Sequence, residues 1–271
     1  MKKEDSHSCL VFEMLSEPCT IFNMRVLVSS LALFLVYLST AVCKLPPYIK
    51  PCKVDENIES CVLGQQETVI ANVGNGDPAH KINSFNPMEV DELTVLDNGG
   101  SRAVAMNMTF KNMKIWGLPD GRLKKFWVTP RKKLEWIVDC PKGFKILSKY
   151  KVDGKVLLLP IKGDGDIEVF MDGVTLHFMI HIEVTKKGKR EVITIKKTDM
   201  THTVKNMTLH MDNLFNGDKL LGDELNLVMN ENWMELNKQL GPPISKALAL
   251  ATKPILERIV SQASYNDIFP S

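Results

Sequence analysis

Histidine and cysteine are the residue types in this chain whose spacing could support metal or nucleophilic chemistry. The 271 residues include six of each. No H-E-x-x-H or C-x-x-C pair occurs, so a zinc site is unsupported, and no G-x-S-x-G elbow occurs, so an α/β-hydrolase-type esterase is unsupported. His177 and His181 lie in an alternating segment that predicts a strand, which would hold them roughly 13 Å apart. We therefore expect that these histidines face solvent, that the protein binds no metal or cofactor, and that it is not an enzyme.

Two kinds of charged motif also invite a functional interpretation. The segment Gly163-Asp164-Gly165-Asp166 lacks the Lys-Ser/Thr of a P-loop and the terminal Glu of an EF-hand, so a tight turn between strands is preferred. The basic clusters Lys124-Lys125 and Arg131-Lys132-Lys133 are interpreted as solvated turns. A weak contact with anionic lipid is the alternative for these clusters.

The amino-terminal sequence is typical of a secretory signal peptide. Residues 26–42 are uncharged, and their apolar core of about 13 residues is shorter than the roughly 20 that a membrane span needs. Ala41 and Cys43 fit the −3 and −1 positions of a cleavage site before Lys44. We expect residues 1–43 to be a removed signal peptide with an N-terminal extension, with translation starting at Met1 or Met24. Residues 44–271 would then be one secreted, extracellular domain; an uncleaved signal anchor is the alternative.

Three cysteines remain after the expected cleavage. Cys52 and Cys61 enclose a small loop, and a disulfide closing it would contribute roughly 2–3 kcal/mol; two free thiols are the alternative. Cys140 then lacks a partner, and a buried, inert thiol is preferred to a reactive one. The formal net charge of the full chain is +2, which gives no support for a nucleic-acid partner.

The periodicity of apolar residues predicts which elements carry these side chains. Residues 55–73 have roughly helical spacing, and residues 93–211 alternate between apolar and polar types, which predicts antiparallel strands. Apolar stripes over residues 225–240 and 244–260 predict amphipathic helix, broken or bent at Gly241-Pro242-Pro243 and kinked at Pro254. This order predicts an α+β fold in which a highly curved antiparallel sheet wraps a long C-terminal helix.

Two sequons, beginning at Asn107 and Asn206, agree with the alternation. A glycan at either asparagine must face water, so the neighbouring residues in each strand face inward. The inward positions are rich in methionine and aromatic residues, which suit an irregular apolar channel as well as a filled core. The predicted channel-lining residues are Met106, Met108, Phe110, Trp136, Phe178, Ile180, Met207, Met211, Trp233, Leu240 and Leu248.

Several segments resemble the takeout / juvenile hormone-binding family of secreted insect proteins. They are the Cys52/Cys61 pair, FNPMEVDEL at 85–93, YKVDGKVLLLPIKGDG at 150–165, LFNGD at 214–218 and NENW at 230–233. The resemblance implies a tubular, TULIP-like lipid-binding fold, an internal tunnel for terpenoids, fatty acids or similar lipids, carriage in hemolymph or sensory fluid, and no catalysis. The dedicated hormone carriers have a second disulfide, which Cys140 alone cannot form, so the resemblance favours the takeout-like branch.

We therefore expect a monomeric secreted carrier of one elongated hydrophobic small molecule, with transient contact to a membrane or receptor. Burying roughly 300–400 Å² of apolar ligand surface would give on the order of 8–10 kcal/mol before the costs of association. The alternative is a secreted interaction protein with a filled core that acts through its surface.

Overall fold

The strands of this protein form two antiparallel sheets that pack against one long helix. The computed structural model describes residues 45–95, 104–156, 159–188, 190–261 and 263–270, and the predicted signal peptide, residues 1–43, lies outside them. Side chains are described from residue 107 in the second strand, so that of Met106 also lies outside.

The chain enters through two short helices, α1 (Ile58–Leu63) and α2 (Gln66–Val73). The single helix predicted over residues 55–73 is therefore divided, and Gly64, a poor helix former, follows the last residue of α1. Cys52 and Cys61 form a disulfide with their Cα atoms 6.0 Å apart, which ties the extended lead-in to α1.

Nine strands follow in the described chain, and all their pairings are antiparallel. They are β1 (Met88–Val95), β2 (Val104–Trp116), β3 (Arg122–Thr129), β4 (Lys133–Cys140), β5 (Phe144–Val156), β6 (Leu159–Asp172), β7 (Val174–Lys187), β8 (Arg190–Thr203) and β9 (Asn206–Met211). One sheet has the order β1-β2-β5-β6-β9, and the other has the order β3-β4-β7-β8. Short 3₁₀ turns lie at Pro78–His80, Leu118–Asp120 and Phe215–Gly217.

The alternation predicted from the sequence holds in β9 but not in β4, whose residues from Lys133 to Asp139 are all partly buried. In β9, Met207, Leu209 and Met211 are buried, whereas the residues between them are exposed. The connection between β7 and β8 is short, since β7 ends at Lys187 and β8 begins at Arg190.

The turn predicted at residues 163–166 is wrong, because this segment lies inside β6. The glycines serve close packing instead. A Cβ on Gly163 would collide with the Tyr150 hydroxyl, and one on Gly165 would collide with the carbonyl oxygen of Asp212. The turn predicted at Lys124-Lys125 is wrong as well: both lysines are exposed residues of β3, at a register shift opposite β4.

The carboxyl-terminal part contains α3 (Lys219–Glu231), α4 (Trp233–Ser261) and α5 (Tyr265–Ile268). Of the break or bend predicted at Gly241-Pro242-Pro243, the break is wrong, since α4 runs through this segment and through Pro254. Packing on both sides of the prolines holds the helix: Leu236, Ser245 and Ala249 are buried. Tertiary contacts thus outweigh the hydrogen bonds that proline removes.

Helix α4 forms the common wall of the interior. It contacts β8 of the four-stranded sheet and β1 and β9 of the five-stranded sheet. The Thr198 hydroxyl of β8 donates a hydrogen bond to the carbonyl oxygen of Ala249 at 2.7 Å. The α+β class predicted from the sequence, a curved antiparallel sheet architecture around a long C-terminal helix, is confirmed. None of the described helices combines the length and apolar character needed to cross a membrane.

Helix α3 covers the free edge of β9 through two asparagines. The Asn226 side chain accepts a hydrogen bond from Met211 N (2.9 Å) and donates one to Met211 O (3.0 Å). Asn230, one turn later, makes the same pair of bonds with Leu209, each 2.8 Å long. The two amides thereby occupy backbone groups that an edge strand would otherwise leave unpaired.

Candidate ligand-binding site

Three of the apolar cavities in the described part of the chain adjoin one another, each sharing wall residues with the next. The cap cavity, of about 460 Å³, lies between α1, α2, β3, β4, β7 and α5. The middle cavity, of about 160 Å³, lies between the two sheets and α4. The distal cavity, of about 100 Å³, lies between the five-stranded sheet, α3 and α4.

Shared side chains show how the cavities follow one another. The residues common to the cap and middle cavities are Phe85, Leu118, Leu176 and Phe178. The residues common to the middle and distal cavities are Ile146, Met171, His202, Ile244 and Leu248. The three spaces therefore adjoin one another in series.

The structure places seven of the eleven predicted lining residues on these walls. Met108, Phe110, Met207, Met211 and Leu240 line the distal cavity, Leu248 lines the distal and middle cavities, and Phe178 lines the middle and cap cavities. Six of the seven thus line the distal cavity, next to α3 and α4.

Three predicted residues lie away from these walls. Trp136 is the cross-strand partner of Phe178 and stacks beside it with the ring centroids 5.3 Å apart, but it does not itself line these cavities. Ile180 is buried in a separate cluster with Tyr265 and Phe269. Trp233 packs at the margin of the main core. The fourth remaining prediction, Met106, has no described side chain.

Apart from Phe178, the walls of the cap cavity, the largest of the three, were missed by reasoning from the sequence. Its walls combine α2 residues such as Val69 and Val73 with Phe126 of β3 and Phe269 near the carboxyl terminus. The helical spacing of the two valines was visible in the sequence, but their packing partners are far away along the chain. Only the folded topology brings these segments together.

A polar group interrupts the apolar walls where the middle and distal cavities meet. His202 of β8 lines both cavities, and its Nδ1 lies 2.7 Å from Ser245 Oγ while its Nε2 lies 2.9 Å from Asn237 Oδ1. Both partners belong to α4. This group is not apparent from the sequence, because its three members are spread over two elements that only the fold brings together.

Cys140 lies in the wall of the cap cavity and is 1% exposed. Burial, with a smaller contribution from the negative charges of Asp139 and Asp120, raises the pKa of its thiol to about 11. A thiol in this environment stays protonated at neutral pH, which agrees with the buried, inert cysteine expected from the sequence.

The other predicted polar residues lie on the outside. His181 is exposed, and His177 lies 2.9 Å from the Glu135 carboxylate on the outer face of the sheet. No group of three or more metal-ligating side chains occurs among the described residues. The sequon residues Asn107 and Asn206 are both exposed on strands.

Comparison with known proteins agrees with this architecture. The family described as haemolymph juvenile hormone binding protein (JHBP) matches residues 31–270 of the chain. The circadian clock-controlled protein daywake of Drosophila melanogaster is 28% identical over 232 residues, which are 83% of this chain and 88% of that protein. Daywake of Drosophila yakuba is 26% identical over 231 residues, with the same coverage of 83% and 88%.

A solved structure shares the fold. Takeout 1 of Epiphyas postvittana superimposes with a TM-score of 0.69 at 22% identity, covering 82% of this chain and 100% of that one. Since the family match spans most of the sequence, the chain belongs to the takeout / haemolymph juvenile hormone binding protein family.

Proposed function

We propose that this protein is a secreted carrier that holds one elongated hydrophobic molecule in its series of internal cavities. The observation that carries the proposal is the series itself: three cavities with predominantly apolar walls that share lining side chains from one to the next. Concave apolar spaces of this kind are the usual form of small-molecule sites. Membership of a family named for hormone binding supports the same function.

The chemistry of the walls suits a flexible apolar ligand. Methionine contributes strongly to the distal cavity, where Met108, Met207 and Met211 face helix α4. Unbranched thioether side chains adapt their shape to a guest. Terpenoids, fatty acids and similar lipids fit this description, and we infer that Phe110, Phe178, Leu240 and Leu248 contact the ligand together with the methionines.

Secretion is the second part of the proposal. The predicted signal at residues 1–43, the disulfide between Cys52 and Cys61, and the two exposed sequons support it, because disulfides persist in oxidising compartments. The intact mass of the protein recovered from culture medium tests it. A chain that begins at Lys44 and carries glycan mass is expected, and one that retains residues before Met24 would contradict the cleavage.

A single substitution in α4 tests the carrier function. Leu248 lies where the middle and distal cavities meet, so Leu248→Trp fills the passage. We expect the affinity for a fluorescent fatty-acid or terpenoid probe to fall at least about tenfold, since overpacking leaves no room for the guest. The matched control is Leu250→Trp on the same helix, where the side chain is 58% exposed. Equal affinities in the two variants would contradict binding in the cavities.

Mass spectrometry of organic extracts separates the carrier from the surface-acting alternative. Protein purified from its native source is expected to release a lipid in a near-equimolar amount. A protein with a filled core would release none, and the absence of any displaceable apolar probe would then favour an interaction protein.

A further inference from the structure

Within the proposed carrier function, we propose that His202, Asn237 and Ser245 form a polar recognition point that selects apolar ligands bearing one hydrogen-bond-accepting oxygen. His202 lines both the middle and the distal cavity, Asn237 lines the distal cavity, and the other wall residues of both cavities are predominantly apolar. A ligand that spans this level passes the group in the interior of the protein, away from either end of the series.

The hydrogen bonds orient the Asn237 amide. Its Oδ1 lies 2.9 Å from His202 Nε2, and since an amide oxygen can only accept, Nε2 donates this hydrogen bond. Nδ1 of the same ring lies 2.7 Å from the Ser245 hydroxyl, so both ring nitrogens have a partner on α4. The Asn237 NH₂ group makes no hydrogen bond to any other described residue. Asn237 itself lines the distal cavity.

The backbone of α4 approaches this group closely at a glycine. Gly241 lies on the same helix between Asn237 and Ser245, and a Cβ there would lie 3.0 Å from His202 Cε1 and 3.3 Å from Asn237 Oδ1. Glycine in a helix interior is unfavourable relative to alanine. Its presence here lets the helix approach the imidazole closely enough for both ring nitrogens to be bonded.

The chemistry of the free group defines the ligand class. An amide NH₂ donates and does not accept, so it matches a ketone, ester, ether or carboxyl oxygen. A pure hydrocarbon in the same place would remove water from the donor without replacing it, which disfavours that ligand. We expect the difference to be about tenfold in affinity for otherwise identical chains.

The same three residue types could suggest a nucleophile, a base and an orienting amide. Ser245 is 2% exposed and is not among the residues that line the cavities. Its hydroxyl is bonded to the imidazole and is not on a cavity wall, so the arrangement suits binding better than hydrolysis.

The test compares two ligands that differ by one oxygen. Heptadecan-9-one and heptadecane compete with a fluorescent fatty-acid probe for the full-length protein. The wild-type protein is expected to bind the ketone about tenfold more tightly than the alkane. In Asn237→Asp, the oxygen facing His202 is kept but the donor is replaced, so the preference for the ketone is expected to disappear while alkane binding persists.

Further variants test whether the Asn237 amide causes the preference for the ketone. Asn237→Leu removes the amide altogether and is expected to abolish the preference as well, and Ser245→Ala, which loosens the imidazole, should reduce it. Asn72→Leu, at an exposed amide on α2 away from the cavity walls, should retain it. Equal affinity of wild-type protein for ketone and alkane would overturn the recognition point alone. Failure of the probe and both ligands to bind would instead overturn the carrier function on which it rests.

Discussion

At the scale of single residues, the environment of Cys140 has a measurable consequence for stability. Its pKa in the folded protein is about 11, against an ordinary value of 9.0, because the thiolate would be buried. Burial likewise raises the pKa of Tyr150 to about 12. A group whose pKa is raised by folding stabilises the folded state below its unfolded pKa, and that contribution is lost as the pH rises towards the folded pKa.

We therefore expect the free energy of unfolding to fall between about pH 9 and pH 11, and Cys140→Ala to remove part of that fall. Urea titrations at pH 8, 9, 10 and 11 measure it. Tyr150→Phe serves as the comparison, because its share of the loss sets in above pH 10, the ordinary pKa of tyrosine. Identical pH profiles for wild-type and Cys140→Ala protein would show that the thiol ionises equally easily in both states.

Individual wall residues were predictable wherever strand alternation decides which side chain faces inward. Met207 and Met211 illustrate this, since both follow the period of two and both line the distal cavity. Alternation predicts the face of the sheet on which a side chain lies, but not whether that side chain reaches a cavity. Trp136 lies beside Phe178 on the same sheet, yet only Phe178 lines the cavities, and nothing in the local sequence distinguishes the two.

At the scale of elements, the docking of α3 on β9 depends on side-chain amides rather than on apolar contacts alone. Asn226 and Asn230 are four residues apart, so both face the strand from consecutive turns. The buried backbone groups of Met211 have the Asn226 amide as their partner from α3.

We expect Asn226→Leu to lower the free energy of unfolding by roughly 2–3 kcal/mol, because it leaves the N–H and C=O of Met211 buried without that partner. Chemical denaturation measures the change. Asn232→Leu is the matched control on the same segment, since the Asn232 side chain is exposed and bonds the carbonyl oxygen of Val228. A loss of the same size in both variants would mean that helix propensity, and not the contact with β9, is responsible.

The elements themselves were predictable to different degrees. The strands follow from their alternation, and the helical stripe of α4 follows from its apolar period. The break at Gly241-Pro242-Pro243 was predicted from local preference, whereas burial of Leu236 and Ser245 on either side keeps the helix continuous. The error at Gly163 has the same origin: the glycine accommodates Tyr150, a contact between neighbouring strands that local turn chemistry does not describe.

At the scale of the whole molecule, the cavities predict a strong dependence of stability on ligand. A molecule that binds only the folded state contributes about 2.7 kcal/mol at a hundred times its Kd. For a domain of this size, that corresponds to an increase in Tm of about 5–11 °C.

We expect this increase when a saturating concentration of the fluorescent fatty-acid probe is added to wild-type protein, measured by the thermal loss of circular dichroism. Leu250→Trp should behave like the wild type, and Leu248→Trp should show little change. A shift of equal size in all three proteins would place the probe on the surface.

The order of elements was sufficient to predict the α+β class, because many alternating strands followed by one striped helix can bury their apolar faces only against each other. The division into two sheets was not predictable in the same way. It depends on which strands pair across long connections, as β4 does with β7 and β6 with β9.

The asparagine contacts on β9 have a consequence for behaviour in a concentrated fluid. Uncovered edge strands can pair with the same strand of another molecule and so start aggregation, and lysine or proline on the edge strand is a common protection. The strand NMTLHM contains neither. Its outer rim is instead occupied by amides that imitate the main chain of a neighbouring strand, so a second copy finds no vacant partner at Leu209 or Met211.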